Sequence, residues 1–484
     1  MDRYGYATKL IRLLLVSCLV VAEVSLGQGG YNDDRVMIQG FMWESHQEGK
    51  HQGQGGYQYE VHWKHKWYDH VKSKVAELAD AKFNLIWLPP PSHAGDGAGY
   101  HPQEYHWLFN DYGTKGQHQD LIEALLKAGI EPVADVVINH RNGSGSWATF
   151  KHPDWPANYI CSTDEFWFQD PGSLNPADQA ILAQGDKGAP DYTGSNYPNW
   201  HAARDLDHTN ANLRADVKLY LDKLRKFGYR GWRYDMVKGY DPKYIAEYDY
   251  ASSPTFAVGE YWDGNPNTLT AWVDGTRQQG QADPALKACC AFDFATYELL
   301  RHFINNGMYT HLPAITWKDG IHDGLIAINK DKSVTFLENH DTGFPQKQFD
   351  SFGNNDKLMQ GYAYILTHPG IPCVYWKHFF EWNRKQEIRA LIKARKYAGV
   401  HSGSYIETQV HGNDYVATVG DKPFETSTLI VKIGHGFGFN PDGNIWGLET
   451  YGQGYAVWVR KSKKAETQAA VDAPMPSLPP PPGP

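Results

Sequence analysis

Residues Val217–Asp235 read VKLYLDKLRKFGYRGWRYD, and the change of period inside this stretch decides the fold. Val217, Tyr220, Leu221 and Leu224 recur at helical spacing, Phe227-Gly228 stops the helix, and Tyr229 to Tyr234 is a short strand-like run closed by Asp235. A helix with one apolar stripe, followed by a strand apolar on both faces, describes a sheet covered on both sides. The unit recurs upstream. Val71, Val75, Leu78 and Ala79 share a helix face, and Asn84 precedes the strand Leu85-Ile86-Trp87-Leu88. Leu121, Ile122, Leu125 and Leu126 form another face, Gly129 ends it, and Val133 to Ile138 follows as a strand. Repeated from residue 36 to about 400, this rhythm predicts βα units around a parallel sheet. An open doubly wound sheet has the same rhythm, so the period alone leaves barrel and open sheet both standing. A length of 484 residues suits a barrel with an appendage.

The rhythm breaks between Arg141 and Asp205, where Gly, Pro, Asn, Asp and Trp crowd together. A structureless insertion of that length is unusual in a compact protein, so a small irregular subdomain is expected. After residue 404, Tyr415 to Val419, Thr428 to Ile433 and Tyr455 to Val459 read as antiparallel strands between Gly-rich turns. Residues 462–484 carry seven prolines and no core-forming period, which predicts a disordered tail. At the other end, Lys9 and Arg12 precede the apolar run Leu13 to Ala22, and Ser25-Leu26-Gly27 supplies small residues at a cleavage site. This pattern predicts a secretory signal peptide and an extracellular protein with no membrane attachment once the signal is removed. Cys161, Cys289, Cys290 and Cys373 would remain, with no metal-ligand spacing and no deducible pairing. Asn142-Gly143-Ser144 is a glycosylation sequon. The net charge of −9 argues against nucleic acid, whose phosphates are held by Lys and Arg. The 17 Trp, 30 Tyr and 20 Phe suit a cleft in which rings stack on sugar faces, though many must be core.

Three segments end predicted strands with an acid: Gly231-Trp232-Arg233-Tyr234-Asp235, Val258-Gly259-Glu260 and Phe336-Leu337-Glu338-Asn339-His340-Asp341. A fourth, Asp135-Val136-Val137-Ile138-Asn139-His140, ends in a polar pair. Any one of these acids alone reads as a helix cap or a turn residue. In a βα barrel all strand C-termini open on one face, so three acids, two His and an Arg would meet there. Arg233 lies two residues before Asp235 and shares its strand face, which favours the ionised carboxylate a nucleophile needs. Glu260, flanked by Val258, Tyr261 and Trp262, is expected to be desolvated and protonated, as a general acid must be. Two carboxyls in such unlike settings fit glycoside hydrolysis through a glycosyl-enzyme intermediate.

The four segments, in this order, resemble the four signature regions of the α-amylase family of glycoside hydrolases. The likeness extends to Gln39-Gly40-Phe41-Met42-Trp43-Glu44-Ser45, Ile86-Trp87-Leu88-Pro89-Pro90-Pro91-Ser92-His93, Thr367-His368-Pro369-Gly370-Ile371-Pro372-Cys373 and Gly454-Tyr455-Ala456-Val457-Trp458, which are similar to plant-type members. The resemblance implies an α/β fold: a (β/α)8 TIM barrel with a protruding calcium-binding, loop-rich subdomain and a C-terminal antiparallel β domain. The implied division is a signal peptide over 1–27, the barrel over 31–140 and 205–403, the insertion over 141–204, the β domain over 404–461 and the Pro-rich tail over 462–484. It also implies a monomeric, retaining endo-hydrolase of α-1,4 bonds in starch. Asp235 would be the nucleophile, Glu260 the acid/base and Asp341 the transition-state stabiliser. Tyr100 would stack on the glucose at the cleaved bond, His140, Arg233 and His340 would line that subsite, and Lys238 would contact the leaving-group side. A structural Ca2+ would be held by Asn139, Asp205, the carbonyl of Gly239 and Asp191.

The chain departs from the family pattern at several points. Glu338 stands where Asp is usual, Ile328-Asn329 where some plant-type members carry paired Trp, and Arg204 where Pro is common. Cys373 stands where chloride-dependent members place a cation, so no chloride is expected. Two other readings stay open: a catalytically inactive carbohydrate-binding relative, and an α-glucosidase or transglycosylase. The first typically loses an acid or a subsite histidine, whereas all are present here. The second differs in loop shape, which the sequence does not reveal.

Overall fold

The central strands are short and almost wholly buried, so they belong inside a sheet covered on both faces. In the computed structural model they are β1 (Met37–Gln39), β2 (Leu85–Leu88), β3 (Glu131–Val136), β4 (Gly231–Tyr234), β5 (Phe256–Gly259), β6 (Cys290–Phe292), β7 (Ser333–Thr335) and β8 (Ile371–Tyr375). They run parallel, each beside its chain neighbours, and Met37 pairs with both Leu85 and Cys373, which closes the barrel. The closure chooses between the two architectures that the period left open. Residues 32–53, 56, 58–193, 203–277, 288–317, 323–346, 352–353, 355–421, 427–436 and 438–481 are described. The expected signal peptide lies outside them. Among the described residues, no helix is long and apolar enough to cross a membrane.

The helix Ala211–Phe227 shows how local sequence sets each unit. Asn210 caps it by accepting from the backbone N–H groups of Asn212 and Leu213, and Leu213, Val217, Tyr220, Leu221 and Leu224 are buried. It stops at Gly228, which has φ 124° and lies so near Ile122 that a Cβ would come within 2.5 Å of the isoleucine methyl. Glycine is required there for conformation and for space.

The insertion hangs from a narrow neck, in which His140–Arg141 pairs antiparallel with Arg204–Asp205. Inside it, a single helix, Pro176–Gln184, accompanies several 3-10 turns among the described residues. Buried Arg141 organises the neck side: its guanidinium lies 4.4 Å from the Trp155 ring centre and donates to the carbonyls of Gln103 and Lys151. The C-terminal sheet comprises β9 (Tyr405–His411), β10 (Asp414–Gly420), β11 (Ser427–Ile433), β12 (Trp446–Gly452) and β13 (Tyr455–Arg460), in the order β9-β10-β11-β13-β12. The two strands without a clear sequence signal, β9 and β12, are the sheet's edges, half-buried to exposed along their length. Such edges need no apolar alternation. All four described cysteines are free and buried, so no disulfide links them.

The disordered tail expected over 462–484 is corrected for its described part, residues 462–481. Lys461–Asp472 is a helix, built from good helix formers such as Lys, Glu, Gln and Ala. The chain then crosses the N-terminal face of the barrel. Lys82 donates to the Ala473 carbonyl at 2.6 Å, the Leu478 N–H to the Leu126 carbonyl at 2.8 Å, and Ser477 to the Lys127 carbonyl at 2.7 Å. Met475 and Leu478 pack on the core. The prolines preset an extended path that passes over the loops before β2, β3 and β4.

Candidate active site

At the opposite face, several strands lead directly or within one turn into acidic residues. Asp235 directly follows β4, Glu260 directly follows β5, and Asp341 lies on the turn after β7. Arg233, buried inside β4, binds three carboxyls: its Nη1 lies 2.6 Å from Asp235 Oδ1 and 2.9 Å from Asp135 Oδ1, and its Nη2 lies 2.8 Å from Glu260 Oε1. The other Glu260 oxygen accepts from the Met236 N–H at 3.1 Å. Burial drives the Glu260 carboxyl well above its ordinary range against the pull of Arg233, and the charges of Asp235 and Asp341 add to the rise. One cation shared by several buried carboxyls cannot keep them all ionised. Asp341 is likewise pushed up to about 7, chiefly by desolvation.

Tyr100, His140 and His340 stand around this centre. The Tyr100 hydroxyl donates to Asp135 Oδ2 at 2.9 Å, and its ring stacks on His340 with centroids 5.3 Å apart and planes 9° from parallel. The Tyr100 carbonyl accepts from His140 Nε2 at 2.7 Å. Gln39 Nε2 donates to His340 Nδ1 at 2.9 Å, which leaves the His340 Nε2–H 3.3 Å from Asp341 Oδ2. Desolvation lowers the affinity of both imidazoles for a proton, and Arg233 lowers that of His340 further, so each is a neutral hydrogen-bonding group. Lys238 sits apart, half-exposed, with Nζ 3.4 Å from Asp263 Oδ2 and 4.9 Å from the Tyr261 ring centre.

Sequence reasoning assigned no role to Asp135, Gln39 or Trp43. Asp135 is wholly buried, bonded to Arg233, Tyr100 and Trp87 Nε1, and pushed up to about 6 by desolvation. Its signal was a lone acid inside the otherwise apolar Val133–Val136 run. Trp43 stacks on His340 at 6.2 Å and 10°, a contact from the turn after β1 with no periodic signature.

The four residues expected around calcium lie where the insertion joins the barrel. Asn139 Oδ1 presses on Gly239 so closely that a Cβ there would sit 1.8 Å away, which puts the amide oxygen against the Gly239 backbone. Asp205 pairs across the neck with His140. Its carboxyl is pushed up to about 7 by burial and by the nearby charges of Asp164, Asp191 and Glu165, with Arg204 opposing. Asp191 bonds to Thr163 through its N–H and accepts from Thr193 at 2.6 Å. Among the described residues no three His, Cys, Asp or Glu side chains gather as a metal cage. An amide oxygen, a backbone carbonyl and a partly repelled carboxylate are nevertheless the hard oxygen donors that suit calcium, and the donor chemistry fits it.

The family model for the α-amylase catalytic domain matches residues 68–378, and that for the α-amylase C-terminal β-sheet domain matches 397–459. "Probable alpha-amylase 2" of Arabidopsis thaliana is 32% identical over 450 residues, covering 90% of this chain and 96% of that protein. The chloroplastic alpha-amylase 3 of the same plant is 31% identical over 90% of this chain, which spans only 45% of that longer protein. The structure of an α-amylase from Malbranchea cinnamomea superposes with a TM-score of 0.58 at 17% identity, over 90% of this chain and 98% of that one, a likeness of fold.

Proposed function

The chain belongs to the α-amylase family of glycoside hydrolases, and from that premise we propose that it is a secreted, endo-acting, retaining hydrolase of α-1,4-glucans. The observation that carries this reading is the shared guanidinium. Asp235 and Glu260 each bind a different terminal nitrogen of Arg233 at under 3 Å. A shared guanidinium keeps the two carboxyls within one side chain of each other, which is compatible with the close spacing of roughly 5–5.5 Å that retention uses.

Glu260 donates its proton to the glycosidic oxygen as the C1–O bond breaks, and Asp235 attacks C1 to form a glycosyl ester. The Glu260 carboxylate then takes a proton from water, which attacks C1, releases Asp235 and restores the starting configuration. Burial of Glu260 favours the protonated starting state. Asp341, in its ionised form, stabilises the positive charge that develops on the sugar, with His340 beside it, while Tyr100 packs on the ring and His140 fixes the Tyr100 backbone. Asp135 anchors both Arg233 and Tyr100 without touching sugar. Lys238, on its exposed turn, meets the leaving-group side. Asn139, Asp205, Asp191 and the carbonyl of Gly239 would hold a calcium ion, which when bound staples the insertion to the barrel. Secretion is supported by the charged and apolar pattern of residues 1–27.

Soluble starch is the test substrate. Long oligosaccharides should appear before glucose, and proton NMR should record the α-anomer of new reducing ends first. A β-anomer appearing first would overturn retention, and glucose as the sole early product would overturn endo action.

A further inference from the structure

The last barrel strand runs into an irregular turn. After Tyr375 and Trp376, residues Lys377–Glu381 form a π-helical turn, a wide geometry frequently found at functional sites. Its first two side chains are buried and reach two different carboxyls. Lys377 pairs with Glu44, donates to the Phe344 carbonyl at 3.1 Å, and rests 4.9 Å over the Phe344 ring. His378 Nε2 lies 3.1 Å from Glu338 Oε2, and its Nδ1 lies 2.7 Å from the Tyr362 hydroxyl. The Tyr375 N–H donates to that hydroxyl, so the Tyr362 proton points to Nδ1 and the Nε2–H donates to Glu338. The second Glu338 oxygen accepts from the Phe352 N–H at 2.9 Å.

The contacts of Lys377 and the Glu338 contact of His378 end close to the same two residues, His340 and Asp341. Glu44 follows Trp43, which stacks on His340. Glu338 lies three residues before Asp341, and Phe344 three residues after it. The turn between them is held internally by Asn339, whose side chain accepts from the N–H groups of Asp341 and Thr342. The π-turn therefore grips the His340–Asp341 turn on both flanks and ties it to the turn after β1. We propose that Lys377 is a positioning residue for the reaction: its link between Glu44 and Phe344 fixes Asp341 and the stacked His340 against the scissile bond. Glu338 and His378 set the other flank. One Glu338 carboxyl meets both His378 and the Phe352 N–H.

The mechanism is indirect, so its signature is a split between kcat and KM. Misplacing a group that acts on transition-state charge lowers kcat while leaving ground-state binding of a long glucan nearly intact. Lys377→Met alone strands a buried carboxyl at Glu44 and is expected to lose stability. The double variant Lys377→Met with Glu44→Gln removes the stranded charge and keeps the test open if the single variant does not fold. We expect the double variant to recover its Tm yet show kcat on soluble starch at least about tenfold down, with KM within about twofold. Lys377→Arg, which keeps a cation with several donors, should restore most of the rate.

The proposal rests on Asp341 acting at the cleaved bond, so Asp341→Asn is assayed beside these variants. An Asp341→Asn enzyme with wild-type kcat overturns that reading and the clamp with it. An impaired Asp341→Asn enzyme beside a folded double variant at wild-type kcat overturns the clamp alone, leaving Lys377–Glu44 a stability pair.

Discussion

Asp249 offers a test of burial energetics away from the catalytic centre. It lies on the helix Lys243–Ser252, 1% exposed, accepting from the Tyr234 hydroxyl at 2.8 Å. Desolvation pushes its carboxyl up to about 7, against lowering by Tyr234 and Lys332. An ordinary aspartate titrates near 3.9, so the rise corresponds to roughly 4 kcal/mol of pH-dependent stability. Its sign follows from proton counting. Between pH of about 4 and about 7 the folded protein keeps this proton while the unfolded chain loses it, so stability falls as pH rises through that window. Asp249→Asn removes the titration and nothing else that depends on pH. Its extra amide hydrogens cost a fixed offset of about 1–3 kcal/mol if unpartnered, independent of pH. The assay is urea unfolding of wild type and Asp249→Asn at matched calcium from pH 4.5 to 8. Other raised acids, including Asp135 and Asp341, titrate in both proteins and cancel in the difference. The variant should gain on wild type by about 3 kcal/mol between pH 4.5 and 8, because part of the titration of the unfolded chain is already complete at the lower limit. A difference flat to within about 1 kcal/mol would show that Asp249 titrates as an exposed acid does, and the burial argument would fail.

Asp235→Asn and Glu260→Gln should each cut kcat on starch by about 10⁴ or more while the Tm stays near wild type; a tenth of the activity surviving in Asp235→Asn would reassign the nucleophile. Chelation should lower the Tm and added calcium restore it, since an ion bound only by the folded state stabilises by linkage; a Tm indifferent to chelator, with no calcium by elemental analysis, refutes the Asn139–Asp205 assignment. Truncation after Asp472 removes the strap over the barrel's N-terminal face, with its bonds to Lys82, Leu126 and Lys127. Ordering cost offsets part of that loss, so unfolding free energy should drop by about 1–3 kcal/mol with kcat unchanged. An unchanged Tm would show the strap contributes nothing.

What the sequence made legible was whatever repeats. The helix stripe of Val217, Tyr220, Leu221 and Leu224 and the fully buried strand after it are statements about burial, and burial is what periodicity records. Closure was not legible from the period, because an open sheet asks the same of each unit; it took the ordered motifs to imply a barrel. The edges β9 and β12 were missed for the complementary reason, since half-exposed strands impose no alternation. The tail was misread because its prolines speak only of the lack of a core of its own. They do not reveal that Met475 and Leu478 dock on a core built by other segments.

The same asymmetry governs the site. Asp235 and Glu260 could be picked out because each ends an apolar strand, where an acid has no packing reason to be. Asp135 breaks the same rule one turn of reasoning earlier, inside β3 rather than after it, and that displacement hid it. Its role follows from its partners, not its position. A carboxyl with almost no access to solvent, tied to Arg233, Tyr100 and Trp87, cannot meet a sugar, so it acts by fixing the guanidinium on which Asp235 and Glu260 depend. Lys377 is the limiting case. Its partner Glu44 lies 333 residues away, and no local pattern encodes a pair whose meaning exists only after the barrel has closed β1 against β8.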